Sequence, residues 1–228
     1  MSLNGKNVLV IGASGVLGGQ IAQELHSRGA KVLGTASSEA SLANVPAVVE
    51  QKFAVDLADE MSFMPLFVEV ATTGIELDGI VMAAGRVGFG LINDTTAADA
   101  FDLMQINHLG PAQLIASLST ILRADSESSF VASITGVVAE KVFPGMSAYT
   151  ASKTAHSVWL KTFAQENRRK KIRVIDSRPG HTETGLATRP LFGTAPAFAT
   201  GMSPAHVAKV IVEAIESGAT DLPSESFN

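Results

Sequence analysis

The chain has 228 residues, 46% of them hydrophobic, which is enough to bury one substantial core and suits a single domain over residues 1–228. A formal net charge of −5 and a pI near 5.5 argue against a nucleic-acid or membrane-surface binder, and the lack of cysteine excludes disulfides, thiol nucleophiles and thiolate metal sites. The leading Met-Ser-Leu-Asn-Gly-Lys runs into an apolar stretch too short to span a membrane and shows no signal-peptide cleavage pattern, so a cytoplasmic location is expected.

Residues 7–11 form a short apolar run closed by Gly12, which reads as a buried strand; from Val16 to Arg28 apolar residues recur at helical spacing. Between them lies Gly12-Ala13-Ser14-Gly15-Val16-Leu17-Gly18-Gly19. In a strand-turn-helix unit the missing Cβ atoms let backbone approach a pyrophosphate, and the helix N-terminus favours the phosphates. The same glycines would also serve a tight connection that holds no ligand.

Residues 31–36 read as the second strand, ending in Thr35-Ala36-Ser37-Ser38. No Asp or Glu stands there to accept from an adenosine 2′-hydroxyl, which favours NADP(H) over NAD(H), with Ser14, Ser37 and Ser38 as phosphate donors. Alternatively, the serines cap the short helix that follows. Residues 48–55 alternate as a third strand ending at Asp56-Leu57. The Asp56 carboxylate would accept from an adenine amino group or merely cap the helical run at 58–73.

Residues 79–83 are a continuous apolar strand closing in Ala84-Gly85, small enough for a flat ligand to lie against the strand end. The run 95–122 reads as one long helical region, in which Asn107 would compete with the backbone ladder. A fifth strand at 129–134 leads into Thr135-Gly136. The helical run 147–169 then carries Tyr149 and Lys153, four residues apart and so on one face. An ammonium beside the phenol would lower its pKa from about 10, making Tyr149 a general acid for a carbonyl oxygen or a base for an alcohol.

A sixth strand at 172–177 is followed by the turn Arg178-Pro179-Gly180-His181-Thr182-Glu183-Thr184. Residues 186–202, with Pro190, Phe192, Pro196 and Phe198, read as an apolar lid or as an ordinary long loop. Ser203 is expected to cap a helix opened by Pro204 and running to Glu216, before a last short strand at 220–222. Strands alternating with helices imply an α/β fold, a parallel sheet covered on both faces, with ligands bound at the C-terminal ends of its strands.

The glycine turn, Asp56, Ala84-Gly85, Asn107, Tyr149-x-x-x-Lys153 and Pro179-Gly180 followed by Thr184 stand in an order and spacing that resembles the short-chain dehydrogenase/reductase family over nearly the whole chain. The resemblance implies a single-domain Rossmann-type doubly wound parallel sheet of about seven strands. It also implies a homodimer or homotetramer, assembled through the helices after the fourth and fifth strands, that acts on a small-molecule carbonyl or alcohol. Tyr149 would be the proton donor or acceptor, and Lys153 would lower its pKa and hold the nicotinamide ribose. Asn107 would anchor a water of a proton relay, Thr184 would touch the nicotinamide amide, and the turn through Pro179, Gly180 and Thr182 would flank it.

Three departures from the family pattern stand out. Ile11 replaces a Thr before the glycine turn, whose middle glycine falls one place early, at Gly15, a spacing that other branches of the family use. Met82-Ala83-Ala84-Gly85 stands where Asn-Asn-Ala-Gly is usual. Most consequentially, the family's substrate-orienting Ser falls at Gly136. Thr135 is the replacement expected from the sequence, with Ser133 on the same side of the strand. Loss of such a donor costs about 10²–10³ in kcat, so the alternative reading is a nucleotide-binding regulatory protein with little turnover. A third reading, epimerisation or dehydration with bound NAD(H), gains from the glycine spacing but lacks room for a sugar-nucleotide site. The five histidines show no metal-ligand spacing, so no metal is expected; His181, on the turn after the sixth strand, reads as a solvated loop histidine in the first place and as a substrate contact in the second.

Overall fold

Seven strands line up in one parallel sheet in the order β3-β2-β1-β4-β5-β6-β7, in a computed structural model that describes residues 1–123 and 129–228. They are β1 (Asn7–Ile11), β2 (Lys31–Ala36), β3 (Val49–Ala54), β4 (Gly79–Met82), β5 (Phe130–Ile134), β6 (Arg173–Ser177) and β7 (Asp221–Leu222). β1 pairs with β2 on one side and with β4 on the other. The strand order therefore reverses between β1 and β4, and a crevice opens above that point.

Alternation along each strand divides the core into two layers. Val8 and Val10 of β1 pack with α1 (Val16–Ser27) and α6 (Pro204–Ser217), whereas Leu9 and Ile11 pack with residues of α2 (Phe63–Thr72), α4 (Gly110–Leu118) and α5 (Ser147–Glu166). Both faces are covered, which explains why the central strands β1 and β4 are near-continuous apolar runs, whereas the edge strand β3 alternates.

Several boundaries differ from the sequence expectation for local reasons. The run 58–73 opens with a 3₁₀ turn, Glu60–Ser62, capped by the Asp59 carboxylate, which accepts from Met61 N–H, before α2 starts at Phe63. Pro65 can sit only in the first turn of a helix, where its missing N–H is not needed. The run 95–122 is continuous but not uniform. It begins as α3 (Ala97–Met104) behind a Thr96/Asp99 capping box, widens to a π turn over Gln105–Leu109, and continues as α4 and a 3₁₀ turn, Ser119–Ile121. The π turn is centred on Asn107, the residue marked as out of place in a regular ladder. α5 ends at Glu166, ahead of Arg169, and a short 3₁₀ turn then closes on Lys171 in the left-handed region. Ser203 occupies the N-cap of α6, yet its side chain makes no capping hydrogen bond; Pro204 alone marks that start. No described helix is long and apolar enough to cross a membrane.

Candidate active site

A cavity of about 610 Å³ opens at the C-terminal ends of the strands. One half of its wall comes from Gly12, Ser14, Gly15, Val16, Leu17, Gly18, Ser37, Asp56 and Leu57, after β1, β2 and β3. The other half comes from Ala84, Gly85, Thr135, Gly136, Tyr149, Lys153, Pro179, Gly180, Thr182 and Thr184. Residues spread over 170 positions of sequence thus share one cleft, as the parallel topology requires.

On the first half, Gly15 is the N-cap of α1 and no side chain caps that helix, so its first N–H groups remain available to an anion beside the cavity. A Cβ on Gly18 would stand 2.2 Å from the Gly12 carbonyl oxygen, so only glycine lets helix and turn pack this closely. An uncapped helix end against a narrow glycine turn is a donor set that fits a diphosphate. At the tip of β2, Ser37 reaches the cavity wall, but Ser38 does not: its hydroxyl accepts from Ser41 N–H and caps the 3₁₀ helix Glu39–Asn44. Asp56 lines the cavity while one carboxylate oxygen accepts from Ala58 N–H at 3.0 Å, so it also serves as a local turn cap.

On the second half, Lys153 is almost fully buried and donates from Nζ to the Ile134 carbonyl at 3.0 Å. A Cβ on Gly85 would lie 2.9 Å from that Nζ and 3.0 Å from Asn107 Oδ1. The small residue after β4 therefore makes room for the lysine and the asparagine as well as for a flat ligand. Asn107 is buried behind the cavity wall. Its Oδ1 accepts from Arg86 N–H at 2.9 Å, and its Nδ2 donates to Arg86 O at 2.8 Å and to Ser152 Oγ at 3.1 Å. The amide thus works as a clamp that fixes the backbone just after Gly85.

The proton affinities differ from the sequence expectation. Burial pushes the Tyr149 phenol up to about 12 rather than down. The half-buried ring lines the cavity, and the Lys153 ammonium that was to lower its pKa is engaged by Ile134 O. Burial pushes Lys153 down to about 8, with the nearby Asp176 carboxylate opposing that push. At neutral pH the phenol is therefore protonated and the lysine is mostly charged.

Thr135 is not the replacement for the missing serine hydroxyl. Its side chain is sealed from solvent, and Oγ1 donates to Asp176 Oδ1 at 2.5 Å. Asp176 also accepts from Ser157 Oγ at 2.5 Å and from Arg178 Nη1 at 2.9 Å, and Arg178 continues to Glu140 and to Asp221 at 2.7 Å. Ser133, on the same face of β5, is likewise buried and pairs with His156 Nε2 at 3.0 Å. Burial, helped by Lys153 and His108, pushes His156 down to about 3 and keeps that imidazole neutral. Gly136 lines the cavity with φ +80° and ψ 164°, and it carries no donor side chain.

The sequence reading missed Asp176, Ser157 and the cavity-lining arginines Arg86 and Arg189. A carboxylate directly after the apolar pair Val174-Ile175 of β6 was the available signal for the first. Nothing in local pattern singled out the two arginines. The segment 186–202 is tied to the opposite wall by Leu191 N–H to Val87 O at 2.8 Å and Phe89 N–H to Phe192 O at 3.1 Å. His181 lines the cavity stacked on Phe198, with ring centroids 4.6 Å apart. Among the described residues no group of three His, Cys, Asp or Glu side chains could hold a metal ion.

A crevice at the strand reversal, an uncapped helix end for a diphosphate, and a phenol one helical turn from a buried ammonium on the same cavity wall are together the equipment of a nicotinamide-dependent oxidoreductase. The chain belongs to the short-chain dehydrogenase/reductase family: the family model described as short chain dehydrogenase matches residues 6–190. It is accordingly an NAD(P)-dependent oxidoreductase of that family. Among curated proteins it is similar to a Drosophila melanogaster dehydrogenase/reductase SDR family protein 7-like, at 28% identity over 93% of this chain and 70% of that one. A Haemophilus influenzae 3-oxoacyl-acyl-carrier-protein reductase is 29% identical over 81% of this chain and 77% of its own. Among solved structures, a short-chain dehydrogenase from Streptomyces avermitilis superposes with a TM-score of 0.83 and 25% identity, covering 98% of this chain and 90% of that one. A short chain dehydrogenase from Burkholderia cenocepacia in complex with NADP gives the same TM-score at 20% identity over 98% and 90%.

Proposed function

We propose that the protein is an NADP(H)-dependent carbonyl reductase that runs in the alcohol-forming direction, with Tyr149 as its proton donor. The observation that carries this reading is the pairing of a phenol held protonated by burial with a buried, hydrogen-bonded Lys153 one helical turn away on the same cavity wall. A general acid must hold its proton at the working pH and release it to the developing alkoxide, and a protonated Tyr149 meets the first condition. Lys153 lends positive charge beside the phenol, which stabilises the phenolate left after transfer. The Ile134 carbonyl holds that lysine, and the missing Cβ at Gly85 leaves room for it. A nicotinamide cofactor, when bound, supplies the hydride equivalent to the carbonyl carbon. Ser14 and Ser37 support the 2′-phosphate preference, because they line the cavity near the tip of β2 where no acid stands to repel it. A homodimer or homotetramer is supported by exposed Phe101, Leu109 and Val158 on α3, the π turn and α5.

The test is titration with NADPH and NADH by nicotinamide fluorescence, followed by a panel of ketones, aldehydes and quinones. Tight NADPH binding, turnover of a carbonyl, and a Tyr149→Phe variant that binds NADPH but loses at least about 10³-fold in kcat are expected. Cofactor binding without reduction of any carbonyl would favour the second reading, a nucleotide-binding regulatory protein, for which the donor-free position at Gly136 is the supporting observation.

A further inference from the structure

The cavity has an uneven charge distribution that proton transfer does not use. Among the described residues its only carboxylate is Asp56, at the end of β3, on the side of β1 that faces the glycine-rich half of the cleft. Its other full charges, Arg86, Lys153 and Arg189, all belong to segments on the β4 to β6 side. Lys153 is accounted for by Tyr149 and Ile134. The two arginines are not.

Arg86 directly follows Gly85, and the Asn107 amide grips its backbone at both N–H and C=O. Its Cα is thus among the most firmly placed in the site. Its Nη2 reaches the Arg189 carbonyl at 3.3 Å, which brings the opposite wall within one side chain's length. Arg189 spends its Nε on Gly185 O at 3.2 Å. Both residues stay solvent-exposed, and among the described residues neither guanidinium pairs with a carboxylate. Each keeps most of its five donors free in a fork that matches a carboxylate in two-point geometry. Two cations gathered across one cleft repel each other unless an anion lies between them. The wall of the same cavity also includes apolar Val87, Phe89, Phe143 and Leu186.

We propose that Arg86 and Arg189 form a carboxylate clamp, so that the preferred substrate is an oxo acid with an apolar body whose keto group lies at Tyr149. The proposal rests on the reductase reading, but its chemistry can be read apart from turnover. A phosphate oxygen of the cofactor offers the same anionic chemistry, and the experiment separates the two sources.

Rates of NADPH oxidation are compared for straight-chain oxo acids and their methyl esters in wild type, Arg86→Gln and Arg189→Gln, with NADPH dissociation constants measured in parallel. Binding without chemistry is followed by calorimetry of the NADPH-saturated protein with hexanoate and hexanamide. The expected result is an acid-over-ester ratio in kcat/KM of about 10- to 100-fold in wild type, the worth of one or two charge-assisted hydrogen bonds. That ratio should fall towards one in each variant, hexanoate should bind more tightly than hexanamide, and raising the ionic strength should weaken the preference. Equal handling of acids and esters by the wild type overturns the proposal. So does a ratio that survives both substitutions. NADPH affinity that drops about tenfold with the ratio unchanged assigns the arginines to the cofactor instead and also overturns it. If no carbonyl is reduced, the reductase reading fails separately, and the comparison of hexanoate with hexanamide still decides the clamp.

Discussion

Replacing Gly136 by Ser is the direct way to restore the hydroxyl that the family carries at that position, and the backbone argues that the repair fails. Space is not the obstacle, since a Cβ there would meet only Pro179 O, at 3.7 Å. The obstacle is φ +80° with ψ 164°, a region populated almost solely by glycine, where a side chain costs about 1–3 kcal/mol. Relaxing that strain means turning the peptide, which would give up the Gly136 N–H bond to Ser177 O at 3.2 Å and the Ala139 N–H bond to Gly136 O at 3.0 Å. For a chain of this size each kcal/mol lowers Tm by about 2–4 °C, so Gly136→Ser should melt roughly 2–12 °C below wild type. Gly136→Ala carries the same strain without a hydroxyl and should lose a similar amount. Calorimetry and the NADPH oxidation assay are run on all three proteins. The expected kcat for Gly136→Ser lies within about tenfold of wild type. A serine variant that melts with wild type and gains the 10²–10³-fold worth of an oxyanion donor would refute the reasoning.

Two further outcomes follow from the buried groups. Thr135→Val removes a hydroxyl that donates to a buried carboxylate, so it should cost about 1.5–3 kcal/mol in urea unfolding while changing kcat less than tenfold; a 100-fold loss of kcat at unchanged stability would return Thr135 to the substrate. Lys153 has its proton affinity depressed from 10.5 to about 8 by burial, so between those values the unfolded chain binds a proton that the native chain does not. Stability therefore rises with pH across that window, by roughly 2–3 kcal/mol from pH 7 to 10, and Lys153→Met should lack this gain when ΔG is measured at both pH values. The same titration neutralises the ammonium, so wild-type kcat/KM should fall above about pH 8, well before Tyr149 ionises near 12.

The fold was legible because the central strands β1 and β4 are short apolar runs closed by small or glycine residues, β3 alternates, and the intervening helices carry apolar residues at their own period. The glycine-rich half of the cavity was legible for a similar reason: Gly12 to Gly18 shape the turn through backbone, and their spacing is the information. Legibility failed where side-chain direction decides the role. Thr135 shares its parity with Val131, which packs in the layer that holds α5, so strand alternation already turned it away from the cleft; proximity in sequence to Gly136 suggested the reverse. The i, i+4 spacing of Tyr149 and Lys153 held, but the sign of the phenol's shift depends on burial and on where the ammonium spends its hydrogen bonds, neither of which spacing encodes. Arg86 and Arg189 lie 103 positions apart and meet only because the segment after β6 folds back onto the segment after β4.

The end of β5 connects these observations. Alternation gives Thr135 to the buried side, where it satisfies Asp176 beneath the Lys153 helix, and leaves the next residue to face the cleft. The chain puts a glycine there in a conformation that strains any side chain, so the position that orients the carbonyl elsewhere in the family offers space and no donor. A reacting carbonyl held by Tyr149 alone is free to swing, and a misplacement of about 1 Å costs on the order of 10² in rate. The remaining orientation must come from the far end of the substrate, where remote binding energy can fix the geometry at the reacting carbon. An apolar body ending in a carboxylate between Arg86 and Arg189 provides that second point. On this reasoning, esters of good substrates should lose kcat as well as affinity.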